Sequence, residues 1–373
     1  MASGPTSELL ERGLEPDRRP PAPPRRPPFA SRVLLVYGAS RLILLGAVVD
    51  LFGVHAPVGK LVGLWDGRYY LQVAAHGYPT SVSHASSDIA FFPLYPLVVR
   101  AAALAGQDVA VAGIVVSLLA GAAACLAVGA LVRHEAGAEA GVRAGWLMSF
   151  APGAMFLSPA YAEGLAIALC AGALVMLDRG RWLAAGITGA LATAASPLAL
   201  PIVAAAAFAA WRAHDRRAWT APVLSGAGVG SYFVYLWVHT GTPFAWFEAQ
   251  RLGWGQHFSL LATGHWLVTR PGIAVVETIS IALAVFGLRV MAKAGVPGTW
   301  WVFTVVLLGS ILFGAGSWMT PRLLLSLFPL AGALAIGLRP ERFRVVLVGS
   351  GILMVVVLVA YTTPALAGLV FQP

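Results

Sequence analysis

Charge is the first thing this sequence has little of. Asp, Glu, Lys and Arg make up 11% of its 373 residues, and lysine occurs only at Lys60 and Lys293. A soluble globular domain carries about 25% charged residues. The shortage, with 58% hydrophobic residues and a mean hydropathy of +0.78, excludes a water-soluble globule as the main architecture. Cysteine is nearly absent too. Cys125 and Cys170 both lie within apolar segments, where they read as small core hydrophobes, and no CxxC or HExxH occurs. A disulfide framework and zinc sites of those patterns are thereby excluded. A Gly-rich phosphate-cradling loop is missing as well. The opening lacks the apolar core of a secretory signal: residues 1–30 hold eight prolines and five arginines and are expected to form a disordered cytoplasmic tail.

Apolar runs fill nearly everything after Phe29. A helix needs roughly 20 apolar residues to cross the hydrocarbon core, and within it all backbone polar groups must be satisfied internally. The chain therefore reads as one all-α polytopic membrane domain over 31–373. Spans are expected near 33–53, 109–132, 144–157, 161–177, 182–195, 197–211, 221–238, 273–288, 299–313, 323–338 and 345–359. The stretch 90–105 is short and contains Pro93 and Pro96, and the positive-inside rule decides its status. If it does not cross, the tail and the loops at 133–143, 178–181, 212–217, 289–293 and 339–344 all fall inside, which places 18 of the 25 Lys and Arg there. If it crosses, the bias reverses. The expectation is about eleven spans with a cytoplasmic N-terminus, in the cell membrane, with 182–211 as a hairpin whose outer tip is Ser196-Pro197. The net charge of +9 is then a topology signal. No basic, aromatic-studded face suits a nucleic acid.

This topology gathers the polar groups on one side. Two large outer loops, near 54–108 and 239–272, face the same compartment, and six of the eight histidines lie outside: His55, His76, His84, His239, His257 and His265. Asp66, at a break before an amphipathic stretch, is either a helix N-cap or a general base, and the local pattern favours neither. Ala90-Phe91-Phe92-Pro93-Leu94-Tyr95-Pro96 suits an interfacial anchor, and its rings could line a lipid groove. Glu163 follows Pro159 in the first turn of a helix, where it offsets the helix dipole. Yet an ionisable residue at membrane depth is also a functional candidate. Arg322 follows Thr320-Pro321 and offers a planar fork suited to phosphate, against ordinary snorkelling at a helix end. Glu248 and Arg251 could be a simple surface pair. Arg41 and Glu277, both inside spans, are what a transporter or flippase would need; no inverted repeat accompanies them.

Trp65-Asp66 followed by His76-Gly77-Tyr78 and then the 90–96 segment resembles the PIG-V family of mannosyltransferases, in its shorter bacterial form, of the GT-C class of membrane glycosyltransferases. The segment from Phe156 to Glu163, the 241–256 loop and Met319 to Pro329 extend the resemblance over 65–329. The Arg that family members often carry near the hairpin tip is absent at Ala195-Ser196-Pro197, a departure that bears on the acceptor. The resemblance implies a GT-C fold and a polyprenyl-phosphate mannose donor. The acceptor would be a glycolipid or lipoglycan, or a protein, at the outer face. Transfer would occur with inversion, giving an α-mannoside. It implies Asp66 as catalytic base and Arg322, Arg251, His257 and His265 around the donor phosphate. Trp65, Arg68, Tyr69, His76, Tyr78, Phe92, Tyr95, Tyr161, Glu163, Gln250 and Trp254 would meet substrate. No cofactor is expected; Asp66 and Asp88 are the pair that a single divalent ion would use, without a supporting ligand spacing. A GT-C enzyme using another lipid-linked sugar, such as arabinofuranose, is the nearest alternative.

Overall fold

The computed structural model describes residues 27–53, 66–83, 87–258, 271–315 and 320–363. Helix dominates them. In chain order the helices are α1 (Phe29–Phe52), α2 (Gly67–His76), α3 (Leu94–Ala103), α4 (Val109–Phe150), α5 (Glu163–Asp178), α6 (Trp182–Ala195) and α7 (Pro201–Ala213). There follow α8 (Thr220–Thr240), α9 (Ala245–Trp254), α10 (Pro271–Ala294), α11 (Gly298–Phe313), α12 (Pro321–Ser326), α13 (Phe328–Gly337) and α14 (Pro340–Thr362). Five of these, α1, α4, α8 with the turn before it, α10 and α14, are long and apolar enough to cross a membrane. The protein is a helical membrane protein. Its outward faces say the same: Leu35, Leu42, Val238 and Val345 are 70, 69, 82 and 73% exposed, a surface suited to lipid and costly in water.

Local sequence explains where helices stop. α3 has ten residues, about 15 Å of rise, half the hydrocarbon thickness. α4 is not one rod. Gly137, at φ +85°, breaks it into two arms. Only glycine takes that conformation without strain, and it reverses the chain so that Gly129 and Gly141 meet. A Cβ on Gly141 would lie 2.5 Å from the Gly129 carbonyl oxygen. The sequence reading places a loop over 133–143; helix runs through it on both sides of Gly137 instead. The expected hairpin at 182–211 is there as α6 and α7. The Ser196 hydroxyl accepts from the Leu198 N–H, and a short 3-10 turn, Pro197–Ala199, leads into α7. The expected span at 323–338 is interrupted at Leu327, where Pro329 at the start of α13 lacks the N–H that would continue α12. The 241–256 loop holds a helix, α9.

The core runs along α4, α5, α6, α10, α11, α13 and α14, with Cys125 and Cys170 buried in it as free thiols. α1 packs on α4 and is fastened from inside by Arg41. Its guanidinium donates to the Ala154 carbonyl (2.7 Å), the Ser158 hydroxyl (2.8 Å) and the Ser149 carbonyl (3.1 Å), and lies over the Tyr37 ring. These carbonyls belong to the end of α4 and the 3-10 helix Ala154–Leu157, where helix hydrogen bonding is interrupted. Arg41 thus satisfies backbone groups that lipid could not. Two residues of strand, His257–Phe258, pair antiparallel with Gly314–Ala315 and tie the segment after α9 to the end of α11.

Candidate functional site

Three chain breaks converge on one cluster of charges. Asp66 stands in the turn before α2, with helical backbone angles. Its carbonyl accepts from the Tyr69 and Tyr70 N–H groups at 3.1 and 3.3 Å. Its side chain makes no capping bond. The Asp66 Oδ2 instead accepts from Nη1 of Arg322, the second residue of α12. Arg322 Nε donates to Oε1 of Glu163, the first residue of α5. The N-cap reading of Asp66 and the pure dipole reading of Glu163 therefore miss where both carboxylates point. The guanidinium also sits over the Tyr161 ring, 4.9 Å from its centroid, so a cation–π contact supports the side opposite the solvent.

Each member is held from below. Pro159 ends the 154–157 segment, and Tyr161 is pinned through Ser117, whose hydroxyl accepts from the Tyr161 N–H at 3.2 Å and pairs with the Tyr95 hydroxyl at 2.7 Å. Thr320 caps α12 by accepting from the Leu323 N–H. Gly153 allows the close approach that brings α12 in: a Cβ there would lie 2.1 Å from the Pro321 carbonyl oxygen.

The cluster holds two carboxylates and one guanidinium. Side-chain exposure is 18% for Asp66, 3% for Glu163 and 24% for Arg322. Among the described residues, Asp66 Oδ1 and Arg322 Nη2 take no hydrogen-bond partner, and Glu163 Oε2 is buried without one. A buried carboxylate oxygen without a donor costs about 1–3 kcal/mol or more, a cost that a bound hydroxyl would remove. Tyr70, one helical turn after Asp66, adds a fourth group. It is 4% exposed, packs edge-on against Phe91 and Tyr95, and its hydroxyl feels the charges of Glu163, Arg322 and Asp66. Burial first, then Glu163, push its phenol well above the usual range, so it stays a proton donor. The sequence reading passes over Tyr70; its spacing of four from Asp66 on an amphipathic helix is the signal that marks it. The cluster thus presents an acceptor oxygen, a guanidinium edge and a phenol together.

The other expected site residues are dispersed. Arg68 is exposed, donating to the Tyr69 hydroxyl at 2.7 Å and lying over that ring, while Tyr69 stacks on Phe91. His76 is exposed at the far end of α2. Tyr78 donates to the Phe91 carbonyl at 2.6 Å. Phe92 and Tyr95 are buried in the packing, Phe92 against Tyr232 and Trp246, Tyr95 hydrogen-bonded to the Gly113 carbonyl. Gln250 and the exposed Arg251 lie on α9, whose last residue is Trp254; Glu248 and Arg251 form no ion pair with one another among the described residues. His257 opens the short strand pair. Trp65 and His265, like His55 and His84, lie outside the described residues. Asp88 is 6% exposed and electrostatically coupled to Arg68. Among the described residues no group of three His, Cys, Asp or Glu side chains is arranged to hold a metal ion. In Asp66 and Glu163, the guanidinium stands where a bridging cation would.

No family model matches the chain, and no curated protein matches it.

Proposed function

We propose that the chain is a membrane glycosyltransferase of the GT-C class that moves mannose from a polyprenyl-phosphate carrier to a lipid or lipoglycan acceptor at the outer face of the cell membrane. In this reading the described helices belong to about eleven crossings with both large loops outside. The observation that carries it is the meeting of Asp66, Glu163 and Arg322 from three breaks in the apolar run, with one carboxylate oxygen and one guanidinium edge left open side by side. An acceptor hydroxyl donates to Asp66 Oδ1 and loses its proton there as its oxygen attacks the anomeric carbon. The carrier phosphate departs with the bonding electrons, and its charge is met by Arg322 Nη2 and the Tyr70 hydroxyl. General-base help is worth about 10²–10⁴ in rate, and donors fixed in advance on the leaving group are often the larger effect. Glu163 Oε1 orients Arg322, and its second oxygen accepts from a sugar hydroxyl. His257, His265 and Arg251 are the further donors expected for the phosphate.

An apolar groove of about 230 Å³ supports the carrier's identity. Leu324 and Leu325 of α12 line it with Leu147, Phe286, Val346 and Leu353, so it begins within a turn of Arg322. A transporter loses one of its supports, because Arg41 is occupied by the backbone of the α4 break. The test is transfer from polyprenyl-phosphate mannose to a membrane lipid extract by the purified protein. Wild type is expected to transfer, and folded Asp66→Asn to fall by at least about 10². Equal activity in the variant would move the base elsewhere. No transfer by wild type from mannosyl or arabinofuranosyl carriers would sink the enzyme reading.

A further inference from the structure

A second concavity lies away from the charge cluster, between α2, α3 and α8. It measures about 310 Å³, and its lining includes Tyr78, Leu97, Arg100, Ser231, Tyr232 and Tyr235. We propose that this groove is a binding site for one anionic phospholipid, with the phosphate on Arg100 and an acyl chain along Leu97 and the tyrosine rings.

Three observations carry this. The groove lies near the ends of two helices. Arg100 lies one turn before the end of α3, and Tyr232 and Tyr235 lie one to two turns before the end of α8, where cations and amphipathic rings meet the interface. Its walls open sideways onto surface that a bilayer would cover: Leu97, Val98 and Val234 are 58, 37 and 58% exposed. Its charge is unbalanced, since Arg100 is exposed and takes part in no ion pair among the described residues.

The tyrosines are built as a wall. The Tyr78 and Tyr232 hydroxyls donate to the Phe91 and Ile89 carbonyls, at 2.6 and 2.8 Å, which turns their rings toward the groove. Tyr235 stacks on His239, whose Nε2 lies 3.0 Å from the Tyr78 carbonyl. Among the described residues the Tyr235 hydroxyl has no partner, which leaves it as a second donor beside Arg100. A simple snorkelling arginine would have neither the concavity nor the fixed wall. The inference is independent of the reaction proposed above, because none of Asp66, Tyr70, Glu163 and Arg322 lines the groove.

Native mass spectrometry of the full-length protein, delipidated and then titrated with phosphatidylglycerol or phosphatidylcholine, tests it without any activity readout. Wild type is expected to retain one phosphatidylglycerol about tenfold more tightly than phosphatidylcholine, because both lipids carry the phosphodiester but the choline of phosphatidylcholine sets a second cation beside Arg100. Arg100→Ala removes that preference. Ser231→Phe, at an exposed groove position, lowers retention of both lipids, and Arg216→Ala, exposed on the opposite side of the bundle, changes nothing. Equal retention of the two lipids by wild type overturns the proposal, as does a preference that survives Arg100→Ala in protein that melts like wild type.

Discussion

Removing the guanidinium of Arg322 leaves Asp66 and Glu163 with no counter-charge, and Glu163 is almost wholly buried. Breaking a buried pair from one side costs about 3–5 kcal/mol, so Arg322→Ala should unfold at a clearly lower temperature in detergent. Adding Glu163→Gln should recover part of that loss, and a double variant no better than Arg322→Ala would show that the carboxylates are not what the arginine balances. Arg322→Lys keeps the charge but not the fork, so stability should return further than transfer does. Asp88 behaves oppositely to most carboxylates. Burial raises its proton affinity in the fold, only partly offset by its own backbone N–H and by Arg68. The folded form holds the proton more tightly than the unfolded chain, so this contribution to stability is greatest in acid. It falls as pH rises from about 4 through the raised value. Asp88→Asn should therefore melt at or above the wild-type temperature at pH 7, with the gap closing toward pH 4; a gap that widens in acid would refute the assignment. The three charged residues of the cluster were all legible as candidates. What joins them was not, because Arg322 lies 256 and 159 positions from its two partners and no local pattern encodes such a contact. Tyr70 was overlooked because an aromatic on an apolar helix face looks like packing, and its ring does pack.

At the scale of elements, the fold depends on two glycines for different reasons. Gly137 needs its positive φ, with ψ 175°, to turn α4 back on itself, a region open almost to glycine alone, and Gly137→Ala should cost about 1–3 kcal/mol. Gly153 needs empty space, because Pro321 presses where its Cβ would be. Gly153→Val should push α12 outward and displace Arg322. A misplacement of about 1 Å can cost 10²-fold in rate, so transfer should fall by that order while the melting temperature changes far less than in Arg322→Ala. Measuring both in the same preparation separates displacement from unfolding. Helix stops were readable at Pro197 and Pro321, which start helices after a break; the stop before Pro329 was missed, because the apolar run continues through it unbroken. The reversal between 109–132 and 144–157 was read as well, but as a loop over 133–143, because arginines and glutamates around a glycine look like one, while here they continue the helix up to Gly137. The strand pair at His257–Phe258 was equally hidden, since two residues carry no periodicity.

For the whole molecule, the distribution of arginine sets an orientation that can be measured directly. Both native cysteines are buried, so single cysteines introduced at exposed positions report alone. With the proposed topology, Gln107→Cys should react with an impermeant maleimide from outside intact cells, and Ala136→Cys only after permeabilisation. The reverse pattern would invert every loop and remove the basis for an outer-face reaction. Membrane character was written in composition itself, but shape was not: how the breaks at 66, 163 and 322 come together depends on packing of small residues over long separations. That separation has a consequence in time. A ribosome adds roughly 5–20 residues per second, so with 159 residues between them Arg322 is made roughly 8–30 s after Glu163, and with 256 between them roughly 13–50 s after Asp66. For that interval the growing chain holds two acids in the membrane region without the cation that completes them. Something must neutralise or shelter them as they wait, whether protons, lipid head groups or the insertion machinery. A chain cut short before Arg322 would leave that need standing, a mark by which quality control could tell an unfinished copy from a finished one.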